Sequence, residues 1–218
     1  MHLQDSIGEF LWHTNHRGLR ATLNRMLVGF RRVLAGNRLV LFCCDLADFQ
    51  AAAPDELTQG NVVRRRAESE MQAEEMLRIV HAGYPPVVRR RISERFARGA
   101  SLWLFELEDK LVAYGWTLCG QTVESHFFPL GTNDVHLFDF FVFPEYRGRR
   151  INPSLVKCIL MSLAREGKGR VFIEAAEWNT SQLRSLSRMP FQKLGCARKY
   201  HLFGRTVVVW SEAGRTLP

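Results

Sequence analysis

The sequence predicts an α/β fold in which helices pack on both faces of a mixed sheet. Three observations lead to this prediction: strand-like and helical segments alternate in the middle of the chain, strand hairpins lie on both sides of them, and the composition is globular. Of the 218 residues, 46% are hydrophobic and 24% are charged. Such a composition can bury an ordinary core and excludes a disordered chain.

The sequence predicts two parts, an N-terminal helical extension at residues 1–58 and a main domain at residues 59–218. Residues 17–35 have the apolar period of a helix, with most of their arginines off the apolar face. Residues 38–44 (RLVLFCC) predict a short buried strand, and the polar stretch after them marks the boundary. The helix could pack on the domain or on a second subunit, or it could lie on a membrane surface as a basic amphipathic helix.

The sequence of the main domain predicts strands and helices in a regular order. A turn between 107 and 111 and another at 204–205 each indicate a hairpin. The predicted strands are 61–66, 101–107, 111–118, 135–143, 170–175, 197–203 and 206–210. The predicted helices are 67–81, 85–98, 153–165 and a short one that includes 182–187.

The charge and the cysteines limit the class of protein. A formal net charge of +8 favours anionic partners, such as nucleic acid, an acidic membrane surface or a phosphorylated small molecule. The five cysteines form no CxxC pair and are odd in number, which predicts a reducing compartment and no metal site. We expect a cytoplasmic protein, because no apolar run has the length of a bilayer and the N-terminus has no signal-peptide layout.

A basic turn before the predicted helix at 153–165 indicates a binding site. Asn152 is a preferred N-cap residue, and Pro153 suits the first helical position. Arg147, Arg149 and Arg150 come just before them, although cations are unfavourable at the positive end of a helix dipole. A bound anion would remove this conflict, so the pattern predicts a phosphate site. The alternative is an arginine-rich loop that only keeps the protein soluble.

Two segments resemble motifs of the GNAT superfamily of N-acyltransferases. The segment VFPEYRGRR at 142–150 resembles the acyl-CoA-binding signature, and NTSQLRSLSRMPF at 179–191 resembles the family's N-x-x-S-x-R-S-x-x-K-x-G-F helix. The resemblance covers about 61–212 in element order. It implies a mostly antiparallel sheet, acetyl-CoA or another acyl-CoA as co-substrate, and acyl transfer to an amine. The residues that it implies for coenzyme A are Phe141, Val142, Phe143, Arg147, Gly148, Arg149, Arg150, Ile151, Asn152 and Asn179.

The sequence departs from the family pattern at several positions. Arg150 and Asn152 occupy positions that resemble two glycines of the loop, and Pro190 replaces a glycine of the second motif. Leu186 stands where many members have a tyrosine that protonates the leaving thiolate. A noncatalytic acyl-CoA-binding protein of the same fold is therefore a rival hypothesis.

Four residues are candidates for the base that accepts the proton of the amine, namely Asp139, His136, Glu174 and Glu177. Asp139 lies among phenylalanines, and a desolvated carboxylate there would have a raised pKa that suits a base. It could equally be a structural, ion-paired aspartate, and His136 could be a buried histidine without a catalytic role.

The expected acceptor is a small-molecule amine, such as an amino sugar or a nucleotide-linked sugar. Tyr114 and Trp116 share one face of their strand and are either core residues or walls of the acceptor pocket. A longer-chain acyl donor and a homodimer remain open. A nucleic-acid partner is not expected, because Arg64–Arg66 and Arg89–Arg91 lack an aromatic stacking platform.

Overall fold

The computed structural model describes residues 3–20, 22–23, 26–27, 37–52, 61–122, 130–202 and 205–212. Within them the chain forms eight strands and six α-helices. The strands are β1 Asn37–Asp45, β2 Asn61–Arg66, β3 Ser101–Leu107, β4 Lys110–Cys119, β5 Val135–Val142, β6 Arg170–Ala176, β7 Gln192–Leu202 and β8 Arg205–Glu212. The α-helices are α1 Leu3–Arg17, α2 Leu46–Ala52, α3 Ala73–His81, α4 Pro85–Ala97, α5 Ile151–Arg165 and α6 Thr180–Leu186.

All eight strands belong to one sheet in the order β2-β3-β4-β5-β6-β1-β7-β8. Every neighbouring pair is antiparallel except β5 and β6, which are parallel. The fold class and the mostly antiparallel sheet are therefore confirmed. Only Val135–Leu137 of β5 pair with β6, so both strands continue beyond this point without pairing to each other.

The N-terminal segment contributes a strand to the interior of this sheet. The predicted strand at 38–44 is present as β1, which pairs with β6 on one side and β7 on the other. The domain boundary at residue 58 stays a prediction. The predicted helix at 17–35 lies mostly outside the described residues, whereas α1 ends at Arg17 and was not predicted.

One predicted helix, 67–81, is in fact two elements. A 3₁₀ turn at Glu68–Glu70 comes first, and α3 begins only at Ala73. The break has a local cause: the Glu75 carboxylate accepts a hydrogen bond of 2.9 Å from the Gln72 N–H, which is the reciprocal half of a capping box.

Helices cover both faces of the sheet, as predicted. On one face, α2 and α5 pack on a core that includes Leu155, Ile159 and Leu160, each fully buried. On the other face, α3 and α4 pack on a core that includes Trp116 and Leu104. No described helix is both long and apolar enough to cross a membrane.

A β-bulge interrupts β5 opposite Gly115. Tyr114 pairs with Phe141 but Trp116 pairs with Phe138, so β5 holds one residue more than β4 in this interval. Asp139 is at the bulge and has a φ of 49°, in the left-handed region. An extra residue reverses which side chains point to which face.

The reversal is visible in the two cores. Leu137 and Phe140 both pack on the α5 face although they are three residues apart. Phe138 and Phe141 both pack on the α4 face. The bulge therefore directs Phe141 toward α4, in the part of β5 that lies beyond its ladder with β6.

Candidate functional site

The first turn of α5 differs from the predicted one. The helix begins at Ile151, and its N-cap is Arg150, with φ 58° and ψ 21°. The prediction that Asn152 is the N-cap and Pro153 the first helical residue is wrong by two positions. The physical reason is that no N–H in the first turn has a partner within the helix, so proline is tolerated there beyond the first position.

Five consecutive backbone N–H groups precede and open this helix. Arg147 N donates to Pro144 O at 3.3 Å, and the next backbone donor with a protein acceptor is Ser154 N, 3.3 Å from Arg150 O. Between them, within the part of the chain that the structure describes, no protein group accepts from the N–H groups of 148–152. This run contains Gly148, with a φ of 80°, and lies at the positive end of the helix dipole. It is suited to a phosphate group.

A cavity of about 620 Å³ lies between this loop and α6. Arg150, Arg184 and Arg188 line it, and among the described residues none of them forms an ion pair. The cavity also includes Ser185, whose buried hydroxyl has no hydrogen-bond partner in that part of the chain. The residues therefore fit an anionic ligand with several phosphate oxygens.

The other predicted coenzyme A residues of the two motifs lie outside the lining of this cavity. Arg147 Nε donates to Val142 O at 3.2 Å, and the Arg149 guanidinium lies 5.7 Å from the centre of the Tyr146 ring. Asn179 is the N-cap of α6, because its Oδ1 accepts from Gln182 N at 3.2 Å. A role for these three in coenzyme A binding stays a prediction.

The three predicted strand residues face different ways. Phe143 N donates to Val112 O at 3.1 Å, so its N–H is used within the sheet. Phe141 is two residues before Phe143 and pairs with Tyr114 in the same register. Because N–H directions alternate along an antiparallel strand, the N–H of Phe141 also faces β4. The N–H of Val142, which lies between them, points away from β4. Val142 thus faces the edge along which β5 and β6 no longer pair.

A second cavity, of about 280 Å³, lies on the α4 face of the sheet. Tyr114 and Trp116 both line it, which confirms that they share a face. Its charged and ionisable lining residues come from distant segments: Glu9 and His13 of α1, Arg91 and Arg95 of α4, and Asp139 of β5.

Asp139 lies at the edge of this cavity in an ion pair. Its Oδ2 is 2.6 Å from Arg95 Nη1, and its side chain is 49% exposed. The predicted desolvated carboxylate is therefore wrong, because the bulge turns Asp139 out of the row of phenylalanines. Arg95 is only 15% exposed, and its guanidinium lies 5.1 Å from the Trp116 ring and 5.4 Å from the Phe138 ring.

Burial raises the pKa of Tyr114, and the negative charge of Asp139 raises it further. The phenol therefore stays protonated at every physiological pH, and it lines the second cavity as a neutral group.

His136 and Glu174 form a pair elsewhere. His136 Nε2 lies 3.0 Å from Glu174 Oε2, and the two side chains are 3% and 24% exposed. They lie where the β5–β6 ladder ends, since His136 pairs with Phe172 in register. The structure thus brings two of the four predicted bases together and places Asp139 at the edge of the second cavity. The fourth, Glu177, forms an ion pair of 2.9 Å with Arg38. In the described ranges, no group of three or more His, Cys, Asp or Glu side chains could hold a metal ion.

Comparison with known proteins identifies the family to which this fold belongs. The model of the acetyltransferase (GNAT) family matches residues 69–189, more than half of the chain. The chain therefore belongs to the GNAT family, which implies acetyl-CoA as co-substrate. No curated protein matches the sequence significantly.

Solved structures share the fold at low identity. A GNAT-family acetyltransferase from Colwellia psychrerythraea aligns with a TM-score of 0.53 at 11% identity, over 96% of this chain and 72% of that one. The glucosamine N-acetyltransferase region of a fungal multi-domain β-N-acetylglucosaminidase gives 0.52 at 16% identity, over 79% of this chain and 22% of that one. A GNAT-family structure from Novosphingobium aromaticivorans gives 0.50 at 16% identity and covers 73% of this chain. This chain spans only 61% of that protein's length.

Sequence reasoning anticipated Tyr114, Trp116 and Asp139 in the second cavity but missed its residues from α1 and α4, and it missed part of the first cavity. Arg184 and Arg188 are four residues apart around α6, and Arg91 and Arg95 are four apart on α4, so helical spacing was the signal available for both pairs. Nothing in the sequence connects Glu9 of α1 with Asp139 of β5, because only tertiary contacts bring them to one cavity.

Proposed function

We propose that the protein transfers an acetyl group from acetyl-CoA to the primary amine of a small molecule. One observation carries the proposal: the chain from Asp139 to Arg150 contributes to two cavities of different chemistry. The larger cavity is cationic and lies beside N–H groups for which no described residue provides an acceptor. The smaller one is enclosed by aromatic walls and charges of both signs.

The larger cavity is the proposed site of the coenzyme A phosphates. The N–H groups of 148–152 and the guanidinium groups of Arg150, Arg184 and Arg188 would bind the phosphate oxygens. When bound, acetyl-CoA supplies a thioester carbonyl. The Val142 N–H faces the edge where β5 is unpaired and is the proposed donor to the carbonyl oxygen.

The smaller cavity is the proposed site of the amine. In the transfer the amine nitrogen forms a bond to the carbonyl carbon, the carbon–sulfur bond breaks, and the nitrogen loses a proton. Asp139 is the proposed acceptor of that proton, because it is the one predicted base that lines this cavity. Leu186 is a buried hydrocarbon side chain and has no proton to donate. Water is the proposed source of the proton that the leaving thiolate takes.

The test follows release of free thiol from acetyl-CoA with a panel of small primary amines, including amino sugars. We expect turnover by the wild type, and we expect Asp139→Asn to lower kcat/KM by roughly 10²- to 10⁴-fold, the usual contribution of a positioned base. Acetyl-CoA affinity, measured by calorimetry, should not change in this variant. Asp48→Asn, on the exposed first turn of α2, is the matched control.

Glu174→Gln tests the alternative base. If it abolishes turnover while Asp139→Asn does not, the His136–Glu174 pair is the base and the assignment of Asp139 is wrong. If acetyl-CoA binds but no amine causes thiol release, the protein is a noncatalytic acyl-CoA-binding member of the fold. Mass spectrometry of the protein purified from cells would report a retained acyl-CoA and so test the longer-chain donor.

The nucleic-acid alternative has less support. Each arginine of the 64–66 triplet pairs with a carboxylate, at 3.2 Å to Glu106, 2.9 Å to Glu166 and 3.0 Å to Glu75 respectively. The carboxylates neutralise these guanidinium groups in part, so the triplet attracts a phosphate backbone less strongly.

A further inference from the structure

The side chain of Arg95 is held in place on three sides. Asp139 bonds it at 2.6 Å, and the rings of Trp116 and Phe138 lie 5.1 and 5.4 Å from the guanidinium carbon. A guanidinium has five N–H donors, and one ion-paired carboxylate does not use all of them. Arg95 therefore lines the smaller cavity as a fixed donor group that needs no reorganisation to bind an oxygen anion.

The remaining charges of the cavity wall have mixed sign. Arg91 lies one turn before Arg95 on the same face of α4 and forms no ion pair within the described ranges. Two residues of α1, Glu9 and His13, also line the cavity, and His13 Nε2 lies 3.7 Å from Glu9 Oε1. Two arginines and two carboxylates thus line a cavity of about 280 Å³. A ligand with only positive charge would meet both guanidinium groups, and one with only negative charge would meet both carboxylates.

A ligand with both charges fits this wall. An α-amino acid has an ammonium and a carboxylate attached to one carbon, so its two charges are neighbours, as those of Asp139 and Arg95 are. The ammonium would lie against Asp139, the group proposed above as proton acceptor. The carboxylate would form charge-assisted hydrogen bonds with Arg95.

The rest of the lining suits a small apolar side chain. Val87, Val88 and Ile92 of α4 line the cavity, together with the ring of Phe141. We infer that the acceptor is a free α-amino acid with an apolar side chain, and that Arg95 determines this specificity by binding its carboxylate. This inference rests on the proposed function, because it names the amine that the smaller cavity takes.

The experiment compares acceptors that differ only in the carboxylate. Leucine is paired with 3-methylbutylamine, and phenylalanine with 2-phenylethylamine, in the thiol-release assay with wild-type protein and acetyl-CoA. We expect kcat/KM to be roughly 10- to 100-fold higher for each amino acid, the effect of one charge-assisted hydrogen-bonded contact. Leucinamide is a third arm: its amine is less basic than that of leucine, so a larger fraction of it is neutral and able to attack near neutral pH. A preference for leucine over leucinamide therefore cannot result from a larger supply of neutral amine.

A variant of Arg95 tests the residue. We expect Arg95→Met to lower kcat/KM for leucine by roughly 10- to 100-fold and to reduce the preference for leucine over leucinamide by a similar factor. The matched control is Arg90→Met on the same helix, because Arg90 pairs with Glu94 at 3.7 Å and lies outside the cavity lining. Should Arg95→Met fail to fold, the wild-type comparison of matched acceptors decides alone.

Failure of the inference differs from failure of the proposed function. If the decarboxylated amines or glucosamine are acetylated as well as the amino acids are, or better, the inference is overturned and the acetyltransferase function stands. If acetyl-CoA binds and no acceptor releases thiol, both are overturned. A preference for leucine that Arg95→Met leaves intact overturns the role of Arg95.

Discussion

The two cavities use arginine in opposite ways. In the cavity beside α6, Arg150, Arg184 and Arg188 have no carboxylate partner among the described residues. In the cavity beside α4, Arg95 is ion-paired with Asp139 and stacked on aromatic rings. The first is prepared for a ligand that brings its own negative charge. The second is lined by charges of both signs, so it selects a ligand by how the ligand's charges are arranged rather than by their net sign.

The two cavities also differ in how the chain builds them. The first comes from two short segments that α5 and β6 connect, and both lie within the region that matches the family. The second combines α1, α3, α4, β4 and β5, and α1 lies outside that region. The phosphate-binding part is thus local in sequence, whereas the acceptor part is assembled from distant segments.

The largest expected effect comes from removing charge from the first cavity. We expect the double variant Arg184→Ala/Arg188→Ala to weaken acetyl-CoA binding by roughly 10²- to 10⁴-fold, because it removes two charge-assisted hydrogen bonds that each contribute about 1.5–3 kcal/mol. Isothermal titration calorimetry at low and high salt would measure this, and the salt dependence should also decrease.

Arg65→Ala is the control for this variant, since Arg65 is paired with Glu166 outside the cavity. Unchanged affinity in the double variant would mean that the cationic cavity is not the phosphate site. It would also remove the contrast between the two uses of arginine.

A smaller effect on activity is expected from adding a methyl group at Gly115, opposite the bulge. A Cβ at Gly115 would collide with the ring of Phe140. We expect Gly115→Ala to lower the free energy of unfolding by about 1–3 kcal/mol through overpacking. It should lower acetylation by displacing Asp139, with little change in acetyl-CoA affinity. Urea denaturation and calorimetry would measure the two effects separately.

Gly169→Ala is the matched control, because a Cβ there meets its neighbours only at ordinary contact distances of 3.8–3.9 Å. If Gly115→Ala weakened acetyl-CoA binding and acceptor turnover to the same extent, the bulge would not separate the two cavities functionally.

The smallest expected effect concerns pH and the core on the α5 face of the sheet, which includes Cys44. Burial raises the pKa of the Cys44 thiol to about 12 from its ordinary value of 9.0, and neighbouring negative charges add to this. The unfolded chain therefore loses this proton between about pH 9 and 12 while the folded protein keeps it. Stability from this group is complete below pH 9 and decreases as the pH rises above it.

Urea denaturation at pH 7 and pH 10 would test this, with Cys44→Ala as the comparison. We expect the wild type to lose more stability than the variant over this interval. An equal loss in both proteins would contradict the assigned cause. Cys44 lines neither cavity, so acetyl-CoA affinity should not follow the same pH dependence.

Local patterns predicted most of the main domain. The strands at 61–66 and 101–107 have the predicted bounds, and the alternation that placed Tyr114 and Trp116 on one face is correct. The start of α5 was predicted two residues late, because the cap rules do not anticipate an arginine in the left-handed region. Such a conformation costs about 1–2 kcal/mol for a residue with a side chain, so sequence patterns do not favour it.

The amino-acid sequence by itself determined the mixed α/β class, the resemblance to the family and the basic turn before α5. These depend on residues that are neighbours along the chain, where turn chemistry, periodicity and helix capping act. Only the tertiary structure decided that β1 lies between β6 and β7, that β5 bulges at Asp139, and that Arg95 is ion-paired while Arg184 has no such partner among the described residues. The physical reason is that strand pairing, ion pairing and cavity walls join residues far apart in the chain, and local patterns do not specify which distant partners meet.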